Sequence, residues 1–457
     1  MATPRQRLSI TSGAIMAALA LLLSPTAGPA WAEDLPPVTE SPTQATATPD
    51  PNAADIDFTD QEPEEMPAAP EDSNERNARE CMAEAIRTKS TRLCVDASPD
   101  TPEDLEEAQQ AVADAASDSF LPWCDKDKHK RKDVFTRFGA CMNKKMAKYT
   151  LYDRNGDVLG IARFAMSRRI ALASKGDGRD LFHEELNLVP TRLDAAMVEL
   201  TLTWKPDCAV KCKSSKQSWS GSRTWFPGDK HKARGQLSHW WTESSGNDTL
   251  NLTGILEADS PVNQGEPGTV AWYNLMADVR CDDEVGRSPG CVFFRSTPAF
   301  KVNSKKFPAA QTFYQWVQTE FPDHWGSKAE DSPLHRLASK AEQDKNRRKI
   351  CDSTFKPHPD THETSCDEFP FAASQESGGQ LGIKSGKECV QMYYDTDANY
   401  LALDSRFPRP SQKERCGRGN IPQGQNEGVG GDLGRFTVDV RLLDQDAYYI
   451  DVGRIGG

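Results

Sequence analysis

Fifteen residues near the C-terminal end hold the densest chemistry in the chain: Ser365-Cys366-Asp367-Glu368-Phe369-Pro370-Phe371-Ala372-Ala373-Ser374-Gln375-Glu376-Ser377-Gly378-Gly379. Three carboxylates, Asp367, Glu368 and Glu376, share this stretch with a proline stop and a glycine pair. Carboxylate and amide oxygens are the donors that hard divalent cations prefer, so the expected chemistry is metal-assisted hydrolysis. Pro370 favours extended backbone before it, which puts Asp367 and Glu368 near the end of a strand. Adjacent side chains of a strand point to opposite faces, so the two carboxylates are not expected to bind one cation. One would ligate or act as base, and the other would orient an arginine, a helix or a loop. On this stretch alone, acids that merely dress a surface explain the pattern better, because surface acids are common.

The flanking sequence must position these groups. Residues 306–331 read as a connector with a helical piece, Ala310 to Glu320. Ser332 as cap and Pro333 at the first position predict a helix through Leu334, Leu337, Ala338 and Ala341 to Arg347 and Arg348, ended by Cys351. The two arginines either hold phosphate or solvate a last turn, where cations suit the helix dipole. Lys356-Pro357-His358-Pro359-Asp360-Thr361-His362 is a turn-rich loop. His362 has a suitable intrinsic pKa for a base, but its irregular surroundings make it incidental.

Taken in order, five segments resemble the secreted bacterial deoxyribonucleases of the NucA/NucB type. They are Asp344-Lys345-Asn346-Arg347-Arg348, Lys356-Pro357, Asp367-Glu368-Phe369-Pro370, Glu376-Ser377-Gly378 and Asn426-Glu427-Gly428-Val429-Gly430. Ala447 to Val452 resembles that family's closing strand, so the likeness covers about residues 334–452. This chain differs at Ser365, Cys366, Gln425 and Glu427, where compact members have Asp, Arg, Asp and Arg. It also has a longer span from Glu376 to Asn426, with Cys389 and Cys416 read as tying off the insertion. The resemblance implies hydrolysis of DNA phosphodiesters without strong sequence preference, using one divalent cation (Mg²⁺, Mn²⁺ or Ca²⁺). It assigns Asp367 to the metal or its water, Asn426 to a neutral ligand oxygen, and Glu376 to a second acidic ligand or base. Glu368 assists from behind or as general base. Arg347, Arg348, Gly428 and Gly430 fall to substrate binding, the glycines by letting the backbone come close or turn tightly.

The rest of the chain sets the compartment. Arg5 and Arg7, the apolar run Ala14 to Leu23 and Ala30-Trp31-Ala32 form a secretion signal over residues 1–32. No later stretch is long and apolar enough to span a membrane. Twelve cysteines in an exported chain read as disulfides. Pairing sequence neighbours gives Cys81–Cys94, Cys124–Cys141, Cys208–Cys212, Cys281–Cys291, Cys351–Cys366 and Cys389–Cys416. No paired Cys-x-x-Cys supports zinc. The net charge of −13 is a tail property: residues 33–75 hold thirteen acids and no Lys or Arg, and the signal holds two arginines, which leaves −2 over residues 76–457. A nearly neutral body argues against salt-sensitive binding of nucleic acid over the whole surface.

Residues 33–75, rich in Pro, Ala, Thr and acids, read as a disordered linker. Residues 76–145 read as a helical, disulfide-stapled segment, with Thr101-Pro102-Glu103-Asp104 opening a helix whose face carries Leu105, Ala108, Val112 and Ala116. The basic run Lys126 to Lys132 reads as a solvated loop. Residues 146–331 read as a β-rich, sandwich-like domain. Asn155-Gly156 signals a hairpin, and Val198, Leu200, Leu202 and Trp204 alternate along a strand. Further strands are expected near Thr249–Leu256, Val270–Val279 and Cys291–Phe294. Trp240, Trp241, Trp225 and His239 suit either a ligand platform or, preferably for a β domain, core packing. His183, His231 and His239 read as structural or surface groups. Asn247 and Asn251 sit in glycosylation sequons.

The expected architecture is thus α+β: a small C-terminal nuclease domain (332–457) behind the β-rich domain and the helical segment. The expected function is a secreted, metal-dependent endonuclease. Its β-rich domain is free to bind cell wall or polysaccharide. An exported antibacterial nuclease toxin and a disulfide-stapled adhesion protein without catalysis are the alternatives.

Overall fold

The computed structural model describes residues 62–453, except 67–71, 97, 99–100, 116–120, 127, 130–131, 174–181, 210, 215–222, 244, 273–278, 287 and 412. The expected signal over residues 1–32 and residues 33–61 lie outside the described residues. The chain is a strand-rich α+β protein with five α-helices and several sheets among the described residues. No described helix is long and apolar enough to cross a membrane.

The linker expected over 33–75 gives way to ordered chain earlier than its composition suggests. Glu64–Glu65 pairs antiparallel with Val134–Phe135, and a helix begins at Asp72. The segment 76–145 is helical over Asp72–Thr88 and Pro102–Ala115, but Arg92–Val95 is a strand and a long one starts at Gly139. The helix cap at Thr101 is reciprocal, as its sequence predicts. Asp104 N–H donates to Thr101 Oγ1 (3.1 Å), and Thr101 N–H donates to Asp104 Oδ2 (3.1 Å). Ala108 of that helix packs on Met146 and Ala165.

Two antiparallel sheets follow, one of eight strands and one of six. Gly139–Tyr152 and Val158–Leu172 form the hairpin signalled by Asn155-Gly156, with Gly156 at φ +90°. Leu200, Leu202 and Trp204 face inward as expected. Val198 does not: a short turn over Ala195–Met197 precedes the strand, which starts only at Leu200, and Val198 is exposed. Side chains from both sheets meet in one core that includes Phe164, Leu188, Trp204, Trp225, Leu256 and Phe293. Trp225 and Trp241 are buried, and His239 is bonded to Glu184 (3.0 Å) and Ser214 (2.8 Å). Trp225, Trp241 and His239 therefore belong to packing, while Trp240 is only partly buried. All six cysteine pairs form as neighbour pairing predicts.

The C-terminal part has its own core, and it opens at Phe300, well before residue 332. We label its elements in chain order: β1 (Ala299–Lys301), α1 (Pro308–Glu320), β2 (Leu334–His335), α2 (Lys340–Ile350), β3 (Thr364–Phe369), β4 (Val390–Asp395), β5 (Tyr400–Leu403), β6 (Gly417–Pro422), α3 (Gln423–Asp439) and β7 (Ala447–Asp451). One sheet runs β1-β7-β2 and the other β3-β6-β4-β5. The closing strand expected at Ala447 is β7, the centre of the smaller sheet. The connector helix, α1, is part of this core through Phe313, Tyr314 and Val317. A Cβ at Gly417 of β6 would meet Val317 at 2.8 Å and Phe313 at 2.9 Å, so this close approach of α1 to the sheet requires glycine.

The helix predicted to start at Ser332 starts seven residues later. Leu334–His335 pairs with Tyr448 and Ala447 of β7 instead. Ser339 is the cap, its Oγ accepting from Glu342 N–H (3.4 Å). The Ser-Pro signal is local, and sheet pairing overrides it.

A polar seam joins the two parts. Arg137 of the β-rich part donates to the carbonyls of Val440 (2.8 Å) and Arg441 (3.0 Å) and to Asp446 Oδ2 (3.1 Å). Arg280 donates to Asp446 Oδ1 (2.8 Å) and to the Arg441 carbonyl (2.6 Å). Arg441 returns the contact, clasping Asp282 through Nε (3.0 Å) and Nη2 (2.6 Å). Arg137, Arg280, Arg441 and Asp282 are all buried.

Candidate active site

β3 carries the carboxylates, as the proline signal predicts, and their side chains part to opposite faces of its sheet. Asp367 faces α1: Tyr314 Oη donates to its Oδ2 at 2.9 Å, and Glu368 N–H donates to Oδ1 at 2.9 Å. Tyr314 itself is fully buried, with Phe369 stacked on it at 5.1 Å and Phe371 meeting it edge-on at 5.0 Å. Asn426 joins this face from the first turn of α3. Its Nδ2 donates to Ser365 Oγ and to the Cys366 carbonyl, both at 3.0 Å, which leaves its carbonyl oxygen as the atom able to ligate.

Glu368 faces α2. Arg347 Nε stands 3.8 Å from its Oε1, while Arg347 also donates to Asp344 (3.2 Å). Arg418 lies opposite Glu368 in the β3–β6 register, but its guanidinium is committed elsewhere. It donates to Gln391 (2.7 Å), Asp352 (3.1 Å) and the Ile350 carbonyl (3.0 Å). Glu368 is therefore left with one half-exposed cation. Cys351 Sγ lies 3.3 Å from Glu368 Oε2. These two residues and Cys366 bring ligand-type atoms within 4.8 Å of one another, but the sulfurs are bonded to each other, and a disulfide offers no thiolate to a metal. Glu368 alone of that group remains a donor.

Burial dominates the electrostatics. It pushes the Asp367 carboxyl up to about 8, with the neighbouring Glu368 charge adding to the effect. It pushes Glu368 up to about 7, and Arg347 opposes it only in part. Buried acids short of cationic partners hold their protons near neutrality.

Glu376 sits apart from this pair in a different pairing. Its Oε2 accepts from His335 N–H and its Oε1 pairs with His335 Nδ1, both at 2.8 Å. A carboxylate only accepts, so Nδ1 carries the proton and Nε2 is the ring nitrogen able to take one. α2 lies directly on the turn that follows: a Cβ at Gly379 would come within 2.5 Å of Asn346 Oδ1, and Lys349 Nζ donates to the Gly379 carbonyl (3.0 Å).

Residues 324–396 match the family model described as deoxyribonuclease NucA/NucB. The C-terminal part of the chain is a NucA/NucB-type deoxyribonuclease domain. Its activity is that of a hydrolase on DNA phosphodiester bonds, and DNA is its substrate. Comparison with curated proteins and with solved structures gave no match. The deoxyribonuclease match ends at Thr396, before Asn426, and leaves α1 outside it.

Within the deoxyribonuclease domain the structure sorts the sequence-derived residues. Asp367, Asn426 and Ser365 share one face; Glu368 and Arg347 share the other. Arg348 is exposed on α2. Gly428 and Gly430 are not in a turn: both lie within α3. A Cβ at Gly428 would strike Phe307 at 2.4 Å, so this glycine serves packing. Gly430 sits on an exposed part of the helix with open space beside it. His362 is on the surface beside Asp397 (3.7 Å). Tyr314 and His335 were missed by sequence reasoning. Tyr314 reaches Asp367 across 53 residues, and His335 sits in a Leu-His-Arg run with no periodicity, so neither leaves a local signal.

Proposed function

We propose that the protein is a secreted endonuclease that hydrolyses DNA with little sequence preference and depends on a divalent cation, Mg²⁺, Mn²⁺ or Ca²⁺. The observation that carries this reading is the buried Asp367–Glu368 pair, inside the matched segment and short of positive charge. Oxygen donors that burial drives towards protonation are the donors a hard cation fits, because the cation supplies the missing charge. Asp367 and Asn426 would hold it on their shared face. Such a cation, when bound, polarises the phosphate and offsets charge that builds up in hydrolysis.

The other roles belong to the chain's own groups. Tyr314 fixes the orientation of the Asp367 carboxylate. Glu368 holds Arg347 at the rim, where Arg347 and Arg348 bind the DNA backbone as phosphate partners. Glu376 acts through His335, locking Nδ1–H so that Nε2 accepts a proton from water. The signal over residues 1–32 and the six disulfides support export. The catalytic unit extends from β1 to β7, and nothing in the buried tryptophans supports polysaccharide binding by the β-rich part.

The test is supercoiled plasmid incubated with the purified full chain and each cation in turn, then with EDTA. Open-circular DNA should appear before linear DNA, and chelation should stop it. Intact plasmid under every cation, or cleavage indifferent to EDTA, would overturn the reading. A parallel RNA substrate fixes the sugar preference.

A further inference from the structure

We infer that the β-rich part is a positioning half of the nuclease, acting through the loop 441–446 on His335 and Glu376. The inference rests on the role given to that pair above. It starts from the two buried guanidiniums of the β-rich part that converge on one loop of the other. Arg137 and Arg280 both bond the Asp446 carboxylate and the Arg441 carbonyl. The Asp446 carboxylate also accepts from Leu443 N–H (3.0 Å), which closes the loop on itself.

That loop in turn holds the strand carrying His335. Arg336 N–H donates to the Asp446 carbonyl, and Gln445 N–H donates to the Arg336 carbonyl, both at 2.9 Å. Ala338 N–H donates to Asp444 Oδ1 (2.7 Å), and the Arg336 guanidinium bonds the Leu442 carbonyl. The same strand is bonded on its other side to the Glu376 turn. Gln375 N–H donates to the His335 carbonyl (2.9 Å), and His335 N–H donates to Glu376. Every link from Arg280 to the His335–Glu376 pair is thus a hydrogen bond or a single residue of backbone. Proton transfer tolerates little displacement, so a loop left to choose its own position would misplace the imidazole. Arg137, Arg280 and Asp446 are positioning residues: they act through the loop, not on the DNA.

The experiment uses the full chain with Arg280→Ala, Arg280→Lys and, should Arg280→Ala fail to fold, Asp446→Asn. Steady-state DNA cleavage is measured below the melting temperature of each variant. In parallel, ¹⁵N-labelled imidazoles are followed by NMR at alkaline pH, with His335→Gln assigning the signal. In Arg280→Ala, kcat should fall by about tenfold or more while KM for DNA stays within about twofold, the pattern of a displaced group that does not bind substrate. The protonated Nδ1 signature of His335 should be lost or averaged, and Arg280→Lys should restore it with most of kcat. Unchanged kcat and an unchanged Nδ1 signature in a folded Arg280→Ala or Asp446→Asn would overturn the inference. Loss of the signature in a chain whose wild type cleaves no DNA would uphold the coupling and defeat the nuclease reading of the site instead.

Discussion

Asp367→Asn is expected to abolish DNA cleavage while the protein stays folded. The replacement keeps the shape of the side chain inside a packed pocket. Its amide oxygen can still accept from Glu368 N–H, and its amide nitrogen can donate to the Tyr314 hydroxyl, which accepts as readily as it donates. What disappears is the negative oxygen pair that would hold a cation. Loss of such a group lowers the rate by something on the order of 10²–10⁴-fold. The measurement pairs initial nicking rates with a melting curve for each protein. A variant within threefold of the wild-type rate would remove Asp367 from the active site. Asp367→Ala is the poorer probe, because it strands a buried tyrosine hydroxyl at a cost of about 1–3 kcal/mol and so mixes stability with activity.

The second large effect is on stability, and its sign follows from the direction of the shifts. Asp367 has an ordinary value of 3.8 and is held at about 8 in the folded chain; Glu368 moves from 4.5 to about 7. The unfolded chain therefore releases these protons first. The stabilisation from the protonated acids is complete below about pH 4 and drains away as pH rises through about 8. The two groups are coupled, so the total is on the order of a few kcal/mol and is not the sum of two separate shifts. In EDTA, the melting temperature of the wild type should fall by several degrees relative to Asp367→Asn between about pH 5 and pH 8. The comparison cancels the other titrating groups. Saturating Mn²⁺ should recover the loss in the wild type but not in the variant, since a ligand stabilises only the state that binds it. A wild-type curve parallel to that of Asp367→Asn, with or without cation, would contradict the burial of an under-compensated acid.

What could be read from the sequence was local. Neighbour pairing gave all six disulfides because each closes a short excursion, the longest from Cys389 to Cys416. Asn155-Gly156 marked its hairpin because Gly156 takes the left-handed backbone that closes it, although the connection is the five-residue loop 153–157 and not the two-residue turn expected. The strand ending at Pro370 was legible for the same kind of reason. The missed features are all tertiary. Ser332-Pro333 looks like a helix start, but the open edge of β7 takes Leu334 and His335 first. Gly428 and Gly430 suit a tight turn or a close approach to substrate, yet Val429 and Phe436 anchor that segment as a helix on the core, with Phe307 under Gly428. Phe300, Phe313 and Tyr314 bury in one core with residues far along the chain, contacts that no spacing reveals. The same distance hid Tyr314 from the site.

The polar seam also bears on how the molecule melts. Two hydrophobic cores would ordinarily give two heat-absorption peaks, each core failing at its own temperature. Here, separating them would break the Arg137–Asp446, Arg280–Asp446 and Arg441–Asp282 pairs together and open a buried seam to water. Hydrogen bonds that form one network are lost together, which couples the two cores. Calorimetry should record one cooperative transition for the described part of the chain. A minimal enzyme cut at β1 would begin life with Asp446 stripped of both guanidiniums and Arg441 stripped of the Asp282 carboxylate.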